Sequence, residues 1–260
     1  MLGLKLKYIL VQSKTDDNKM KNFTFLGWLL GCVIVLFAIS APHSFASDGR
    51  LLRAEVFHDY LEGSIDQWLS GKGYVLQKDM RKRNVINFDI SNEGLVIEAK
   101  SRAFALMQNE KVNLSEFSNI EIDWNVIKQP KGASYENGVR NEALMVIVFL
   151  GDERHPSGSA LIPDSPYFIG IFLCSGNDQK NHPYTGKYFE KNGRYICVDD
   201  AESGKLITSR VDLLKAYRQF FDKEDGDNPG ISGIAISLDT TKAEGGGQSA
   251  GVLREIRFYH

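Results

Sequence analysis

The chain has 260 residues, a formal net charge of −2 and a hydrophobic fraction of 43%. A chain of this length can bury one sizeable core, because single β-sandwich domains commonly reach about 200–250 residues. The near-neutral charge and the lack of a basic run exclude the electrostatic footprint of a nucleic-acid-binding protein.

The N-terminal residues 1–46 have the layout of a secretory signal. Lys19 and Lys21 form a positive region, an apolar run follows at residues 23–40, and Ala46 ends a small-residue cleavage site. Export predicts a periplasmic or extracellular location, and residues 47–260 are then one exported domain.

Two alternatives to cleavage stay open. The apolar run at residues 23–40 reaches the lower limit for crossing a bilayer, so it is also interpreted as an uncleaved membrane anchor. Cys32 in LLGC resembles a lipoprotein acylation site. Because Met20 begins a normal signal, residues 1–19 are interpreted as a mis-annotated start.

Strand patterns dominate residues 47–260. Apolar and polar residues alternate at 86–90, 95–99, 120–126 and 256–258, as expected of antiparallel strands with one face on a core. The runs 143–150 and 167–174 are apolar on both faces and predict central strands. With one short helix, these strands predict an all-β, antiparallel two-sheet β-sandwich.

The alternation also predicts which side chains are buried. Glu121 and Asp123 should be exposed on the outer face of their strand. The core should contain the apolar residues of the same two strands, which are Ile86, Phe88, Ile90, Ile120, Ile122, Trp124 and Val126.

One helix is predicted in the stretch SRVDLLKAYRQFFD. Ser209 is the expected N-cap, with Asp212 three residues later as in a capping box. Leu213, Tyr217 and Phe220 follow at helical spacing, so one apolar stripe should pack against the sandwich.

Two cysteines remain beyond the signal. Cys174 ends one apolar run and Cys197 lies in the next, and an even pair in an exported domain predicts a disulfide. A hairpin between the two runs would bring the cysteines side by side. Two free, buried thiols are the alternative.

The loop at residues 177–193 is the predicted ligand-binding segment. It carries His182, Tyr184, Tyr188 and Phe189 among polar residues, and exposed rings beside amides and hydroxyls can stack on a sugar. The alternative is that these rings fold back onto the sheet.

The acidic turn DKEDGDNPG is the predicted metal site. Asp225, Asp227 and Asn228 offer the oxygen ligands that calcium prefers, although the glutamate of an EF-hand is missing. The alternative is a plain acidic turn. A structural calcium is the one cofactor that the sequence suggests.

No catalytic residues are assigned. Glu121 and Asp123 lie on one face of one strand, about 7 Å apart by strand rise, and loosely match a glycosidase pair. The preferred interpretation is a solvated outer face. The stretch GGGQSAG at residues 245–251 contains the pattern G-x-S-x-G, but it lies between two predicted strands and is interpreted as a hairpin loop rather than a nucleophile turn; no H-E-x-x-H motif occurs.

The order of several segments resembles the bacterial exported domain of unknown function 3047 family. The most specific pieces are IDWNVIK, the R-V-x-x-x-x-A-Y-R-x-F-F helix and SLDTT. The resemblance implies a periplasmic or surface sandwich, related in shape to jelly-roll binding modules, without an established activity. Members tend to carry an acidic pair and an arginine where this chain has Asn141, Glu142 and Met145.

Together these patterns predict an exported envelope protein that binds a carbohydrate or another envelope ligand without catalysis. A carbohydrate-active hydrolase or lyase is the first alternative, and a structural or interaction protein of the envelope is the second. No nucleic-acid partner is expected, and membrane contact is expected only through an uncleaved N-terminal segment.

Overall fold

The computed structural model describes residues 49–201 and 205–260. The predicted signal, the alternative anchor and Cys32 lie outside these residues. Within them, no helix is both long and apolar enough to cross a membrane.

The described residues form twelve strands, two α-helices and a 3-10 turn at Asp79–Arg81. The helices are α1 (Ile65–Gly71) and α2 (Leu213–Phe220). The strands are β1 (Leu51–Val56), β2 (Val75–Lys78), β3 (Ile86–Ser91), β4 (Gly94–Ala99), β5 (Phe104–Asn109), β6 (Asn119–Lys128), β7 (Glu142–His155), β8 (Ser165–Cys174), β9 (Gly193–Asp200), β10 (Ile207–Asp212), β11 (Ile231–Asp239) and β12 (Ser249–Tyr259).

The strands pack as two six-stranded sheets. Sheet A has the order β10-β6-β12-β4-β3, with β1 also paired to β12, and sheet B has the order β2-β5-β11-β7-β8-β9. The predicted all-β, jelly-roll-like two-sheet sandwich is confirmed. One pair departs from the antiparallel pattern, since β8 and β9 run parallel.

The core between the sheets follows the predicted alternation on β6. Ile120, Ile122 and Trp124 are fully buried and Val126 is 5% exposed. Burial of each such large apolar side chain contributes roughly 1.5–3 kcal/mol. The prediction is weaker at the edge strand β3, where Phe88 and Ile90 are only half-buried.

The predicted exposure of Glu121 and Asp123 is wrong. Glu121 is 8% exposed and Asp123 is half-buried. β6 lies between β10 and β12, so arginines of both neighbours reach its outer face and cover these carboxylates. Ion pairing across a central strand therefore replaces the expected contact with water.

The helix prediction holds for its apolar stripe but not for its cap. α2 begins at Leu213, and the Asp212 side chain accepts a hydrogen bond from the Lys215 backbone at 2.9 Å. Ser209 lies on β10 instead, where its Oγ accepts a hydrogen bond from Trp124 Nε1 at 2.9 Å. The sequence carries no clear signal for the short helix α1. Only Leu69 in it is buried, so its residues form no repeated apolar stripe.

The predicted disulfide is confirmed. Cys174 and Cys197 are bonded, with their Cα atoms 4.8 Å apart. The expected hairpin is wrong, because β9 runs parallel to β8 and the chain must return along the sheet between them. Residues 175–192 make this return and pair with the free edge of β9, where Tyr184 and Tyr195 exchange backbone hydrogen bonds of 2.8 and 2.9 Å.

Candidate functional site

The outer face of sheet A is closed by a charge network. Arg257 on β12 donates to Asp123 at 2.7 Å and to Glu255 at 2.8 Å, and Tyr259 donates to Glu121 at 3.0 Å. Each of these carboxylates is thus held by a partner of its own sheet. The network therefore does not offer its carboxylates to a glycosidic bond.

The outer face of sheet B is different, because it carries apolar and amide side chains. Two continuous rows of paired residues cross all six of its strands, a distance of about 24 Å at the usual strand spacing. One row is Val75, Gln108, Ala235, Ile147, Gly170 and Tyr195, and the other is Gln77, Leu106, Ser237, Met145, Phe172 and Cys197. We call these two rows the trough.

The middle of the trough is lined by small residues. Ala235, Ser237 and Gly170 lie on the central strands, with the larger Gln108 and Tyr195 on either side. Val75 is 61% exposed, and the side chains of Ile147 and Tyr195 are half-buried. The second row is covered at β7, β8 and β9, since Met145 and Phe172 are each 1% exposed and Cys197 is fully buried. The part of the trough that a ligand could reach therefore lies mainly along the first row.

An amide-lined pocket of about 370 Å³ lies at the β2–β5 side of the trough. Gln77 Nε2 donates to Gln108 Oε1 at 3.1 Å, and Gln108 Nε2 donates to Glu110 Oε1 at 3.2 Å. This chain of side chains presents both donors and acceptors, which is what the hydroxyl groups of a sugar require.

The β9 side of the trough is closed by an aromatic cluster of Tyr135, Phe172, Tyr184 and Tyr195. The Tyr135 ring stacks on Phe172 with centroids 4.3 Å apart, and it lies 5.7 Å from Tyr184 and 5.9 Å from Tyr195. The disulfide lies in the same cluster. Tyr135 comes from the polar segment 134–141, whose composition gave no signal of a buried ring.

A carboxyl pair lies beside this cluster. Glu142 and Asp239 are opposite each other in the β7–β11 ladder, next to a bulge in which Ala143 and Leu144 both enter the core. A bulge re-aims the neighbouring side chain. Glu142 consequently lies on the outer face, where Tyr135 Oη donates to it at 2.8 Å.

Burial controls the protonation of this pair. It raises the pKa of Glu142 well above 4.5, and the negative charge of Asp239 adds to the effect, while hydrogen bonds from Tyr135 and Ser237 oppose it. Burial also raises the pKa of Asp239, against hydrogen bonds from Thr241. Two adjacent acids with raised pKa values are typical of functional sites, but Glu142 is only 5% exposed.

The four predicted ligand-binding residues do not form one surface. Tyr184 is 8% exposed, so the expectation of an exposed ring is wrong there; its Oη accepts from Gln179 N at 2.8 Å and donates to Glu136 at 3.1 Å. Phe189 is half-buried against Phe168, with centroids 5.4 Å apart.

The other two residues of that loop face solvent. His182 is exposed, with its ring edge-on to Tyr184 at 4.8 Å, and Tyr188 is 37% exposed beneath Lys187. Ligand binding by His182, Tyr184, Tyr188 and Phe189 stays a prediction. The alternative of rings folded onto the sheet describes Tyr184 and Phe189.

The acidic turn is held by its own hydrogen bonds. Asp227 accepts from Glu224 N at 3.2 Å, and Asn228 accepts from Gly230 N at 3.2 Å and donates to the Phe117 carbonyl at 3.1 Å. No group of three or more His, Cys, Asp or Glu residues that could hold a metal occurs in residues 49–201 and 205–260. Calcium binding by Asp225, Asp227 and Asn228 stays a prediction.

A larger depression of about 580 Å³ lies beside α2. Its charged side chains are engaged locally, since Asp212 caps the helix, Arg218 donates to the Asp227 carbonyl and Lys223 donates to the Tyr167 hydroxyl. This surface has the character of a solvated helix face rather than of a prepared site.

Comparison with known proteins gives distant structural likenesses. No family model and no curated protein matches the chain. Similar solved structures include the Humicola grisea Cel12A catalytic domain with thio cellotetraose (TM-score 0.40, 11% identity, 79% of this chain and 98% of that one). The Trichoderma harzianum endoglucanase 3 of family GH12 is a second example (TM-score 0.39, 9% identity, 83% and 99%).

A third similar structure is a family 29 carbohydrate-binding module, a point mutant complexed with cellulohexaose (TM-score 0.34, 8% identity, 79% and 90%). At such TM-scores and identities, the likenesses say nothing about function. The disulfide indicates an oxidising compartment outside the cytoplasm.

Proposed function

We propose that the protein is an exported, non-catalytic binding domain that holds a carbohydrate chain of the cell envelope in the trough of sheet B. The observation that supports this function is the contrast between the two outer faces. Sheet A covers its charges with one another, whereas sheet B keeps Val75, Ile147 and Tyr195 open to solvent in part.

The chemistry of the trough suits a sugar chain. The C–H faces of a pyranose pack on aromatic and aliphatic side chains, and Tyr195, Ile147 and Val75 supply these at intervals across the sheet. The amides of Gln77 and Gln108 then hydrogen-bond to hydroxyl groups. A ligand laid across the strands would meet both kinds of contact.

A carbohydrate-active hydrolase or lyase is the second candidate. The observation that favours it is the carboxyl pair, because Glu142 has a raised pKa beside Asp239, and glycosidases pair an acid of raised pKa with a second carboxylate. Against it, Glu142 is buried and Tyr135 donates to it, so a substrate would have to displace this contact.

Glycan-array binding by the purified protein tests the proposal. We expect binding that V75E weakens at least tenfold, about 1.4 kcal/mol, because the new carboxylate would lose its water beneath the ligand. L161E is the matched control, since Leu161 is 94% exposed in a turn outside the trough. Absence of glycan binding, or equal loss in both variants, would contradict the trough as the binding surface.

Incubating the protein with a glycan that it binds distinguishes a binding domain from a hydrolase or lyase. A binding domain leaves it intact, so no new reducing or unsaturated ends should appear after prolonged incubation. Cleavage that E142Q or D239N abolishes, with folding preserved, would establish the enzyme instead.

A further inference from the structure

Resting on the proposed function, we infer that the bound carbohydrate is acidic and that Arg140 binds its carboxylate groups. Arg140 precedes β7 by two residues, on the segment that brings Tyr135 over the aromatic cluster. It therefore lies at the end of the trough where the carboxyl pair and Tyr195 meet.

Within the described residues, the side chain of Arg140 lacks a partner. No hydrogen bond or ion pair from these residues reaches its guanidinium group, and its Nε atom is buried without an acceptor. A half-buried charge is costly unless it is paired, so arginines in this setting normally hold a carboxylate. The buried Nε cannot itself reach a ligand, whereas the two terminal nitrogens, which are neither buried nor hydrogen-bonded within the described residues, are free to hold one.

The acids near Arg140 in the fold are already engaged in other hydrogen bonds. Glu142 accepts from Tyr135 at 2.8 Å, and Glu136 accepts from Tyr184 at 3.1 Å. Asp239 accepts from Asn141 Nδ2 at 2.9 Å and from Thr241 Oγ1 at 2.6 Å. These three described carboxyl groups form no ion pair with Arg140, although the chain places them nearby.

The charge of Arg140 does act on the trough. Burial raises the pKa of Tyr195, the negative charge of Glu142 adds to the increase, and the positive charge of Arg140 opposes it. Arg140 lies two residues before Glu142, which accepts from Tyr135, and the Tyr135 ring lies 5.9 Å from Tyr195, so Arg140 and Tyr195 belong to the same end of the trough. The ring would support the sugar face while the guanidinium takes the substituent.

Among the anions that sugar chains carry, a carboxylate suits this residue. The planar guanidinium binds a planar carboxylate through two parallel hydrogen bonds, which a single ammonium group does not reproduce. The ligand class is therefore a chain that contains uronic acids, with its apolar faces on the trough and its carboxylates at Arg140. A sulfated chain is the other acidic ligand to consider, and the comparison of probes below distinguishes it from a carboxylated one.

Titration calorimetry with oligosaccharides of equal length tests this inference. The probes are oligogalacturonate, its methyl ester, a sulfated oligosaccharide and a neutral cello-oligosaccharide. We expect oligogalacturonate to bind the purified protein at least tenfold more tightly than its ester, and R140Q to remove this preference without weakening the neutral probe. R140K should recover only part of it.

R154Q is the matched control, because Arg154 is exposed at the opposite end of β7. It should leave every affinity unchanged. Thermal unfolding of R140Q should be no lower than that of the wild type, since the removed guanidinium has no partner in the described residues. A clear loss of stability in R140Q would give Arg140 a structural role and overturn the inference.

The remaining outcomes separate this inference from the proposed function. Equal binding of acidic and neutral probes, unchanged in R140Q, overturns the acidic ligand but leaves a glycan-binding trough. Preference for the sulfated probe over the carboxylated one also overturns it. Binding of no probe at all contradicts both the inference and the proposed function.

Discussion

The ring of Tyr195 lies over Gly170 of the neighbouring strand. A Cβ atom at position 170 would stand 2.9 Å from Tyr195 Cδ1 and 2.7 Å from Met145 Sδ. The backbone of Gly170 lies outside the left-handed region, so its conformation does not require a glycine. The lack of space for a Cβ atom does. Because Gly170 has no side chain, Tyr195 of β9 can lie across the trough at this position of β8.

Gly170→Ala should displace the Tyr195 ring. Overpacking of this kind costs about 1–3 kcal/mol, and the moved ring should weaken glycan binding. Urea unfolding and calorimetric titration measure the two effects. Gly226→Ala is the control, since no described atom lies within 4 Å of a Cβ atom there; equal behaviour of the two variants would contradict the close approach.

Glu142→Gln should change how stability depends on pH. Burial raises the folded-state pKa of Glu142 above 4.5, so the folded state holds a proton that the unfolded state releases. The contribution of Glu142 to the free energy of unfolding is fully present below about pH 4.5. It declines as pH rises toward the raised pKa, by at most about 1.4 kcal/mol per pH unit.

Urea unfolding from pH 4 to 8 measures this effect. The wild-type curve should fall relative to that of E142Q, which keeps an acceptor for Tyr135 but carries no charge. Because the charge of Asp239 adds to the raised pKa of Glu142, the difference between the two curves reports the titration of Glu142 together with its coupling to Asp239. Parallel curves would mean that Glu142 titrates as an ordinary glutamate.

Ser209→Ala should destabilise the fold through Trp124 rather than through α2. The variant leaves a buried indole N–H without its acceptor, at a cost of about 1–3 kcal/mol. In a W124F background the same change should cost little, because the donor is gone. D212A, which removes the true cap, should cost about 1 kcal/mol in either background.

Tyr184→Ala and Tyr188→Ala should differ in stability. Tyr184 is 8% exposed within the aromatic cluster, so its loss should cost about 3 kcal/mol, as for other large buried rings. Tyr188 is 37% exposed, and its loss should stay within about 0.5 kcal/mol. Thermal and urea unfolding decide this; the reverse order would place Tyr188 in the core.

Replacing Cys174 and Cys197 by serine should remove about 3 kcal/mol of stability. The bond closes a sequence separation of 23 residues, and the chain-entropy model gives that amount for such a loop. Thiol titration of the denatured, unreduced protein is the direct check. Two free thiols in these two positions would contradict both the bond and maturation in an oxidising compartment.

The sandwich was predictable because its signal is local. Ile120, Ile122 and Trp124 alternate with polar residues, and such alternation depends only on the pleat of one strand. The burial of the Glu121 side chain was not predictable in the same way. Its burial depends on Arg257, which belongs to a strand more than a hundred residues away.

The candidate site could not be predicted from the sequence for a related reason. Regular alternation places Glu142 on the same face as Leu144, and only the bulge turns it to the outer face. Tyr135 lies in a polar stretch whose composition favours a loop. The rows of the trough combine residues from six strands, so no single segment carries their pattern.

The return segment 175–192 has a consequence for how the protein is handled in the laboratory. It occupies the backbone groups along β9, where Asn181 N also donates to the Cys197 carbonyl at 2.8 Å. A sheet edge without such a cover is a template for another chain. Production in a reducing cytoplasm, without the Cys174–Cys197 bond to fasten the segment, should therefore favour insoluble intermolecular assemblies over soluble monomer.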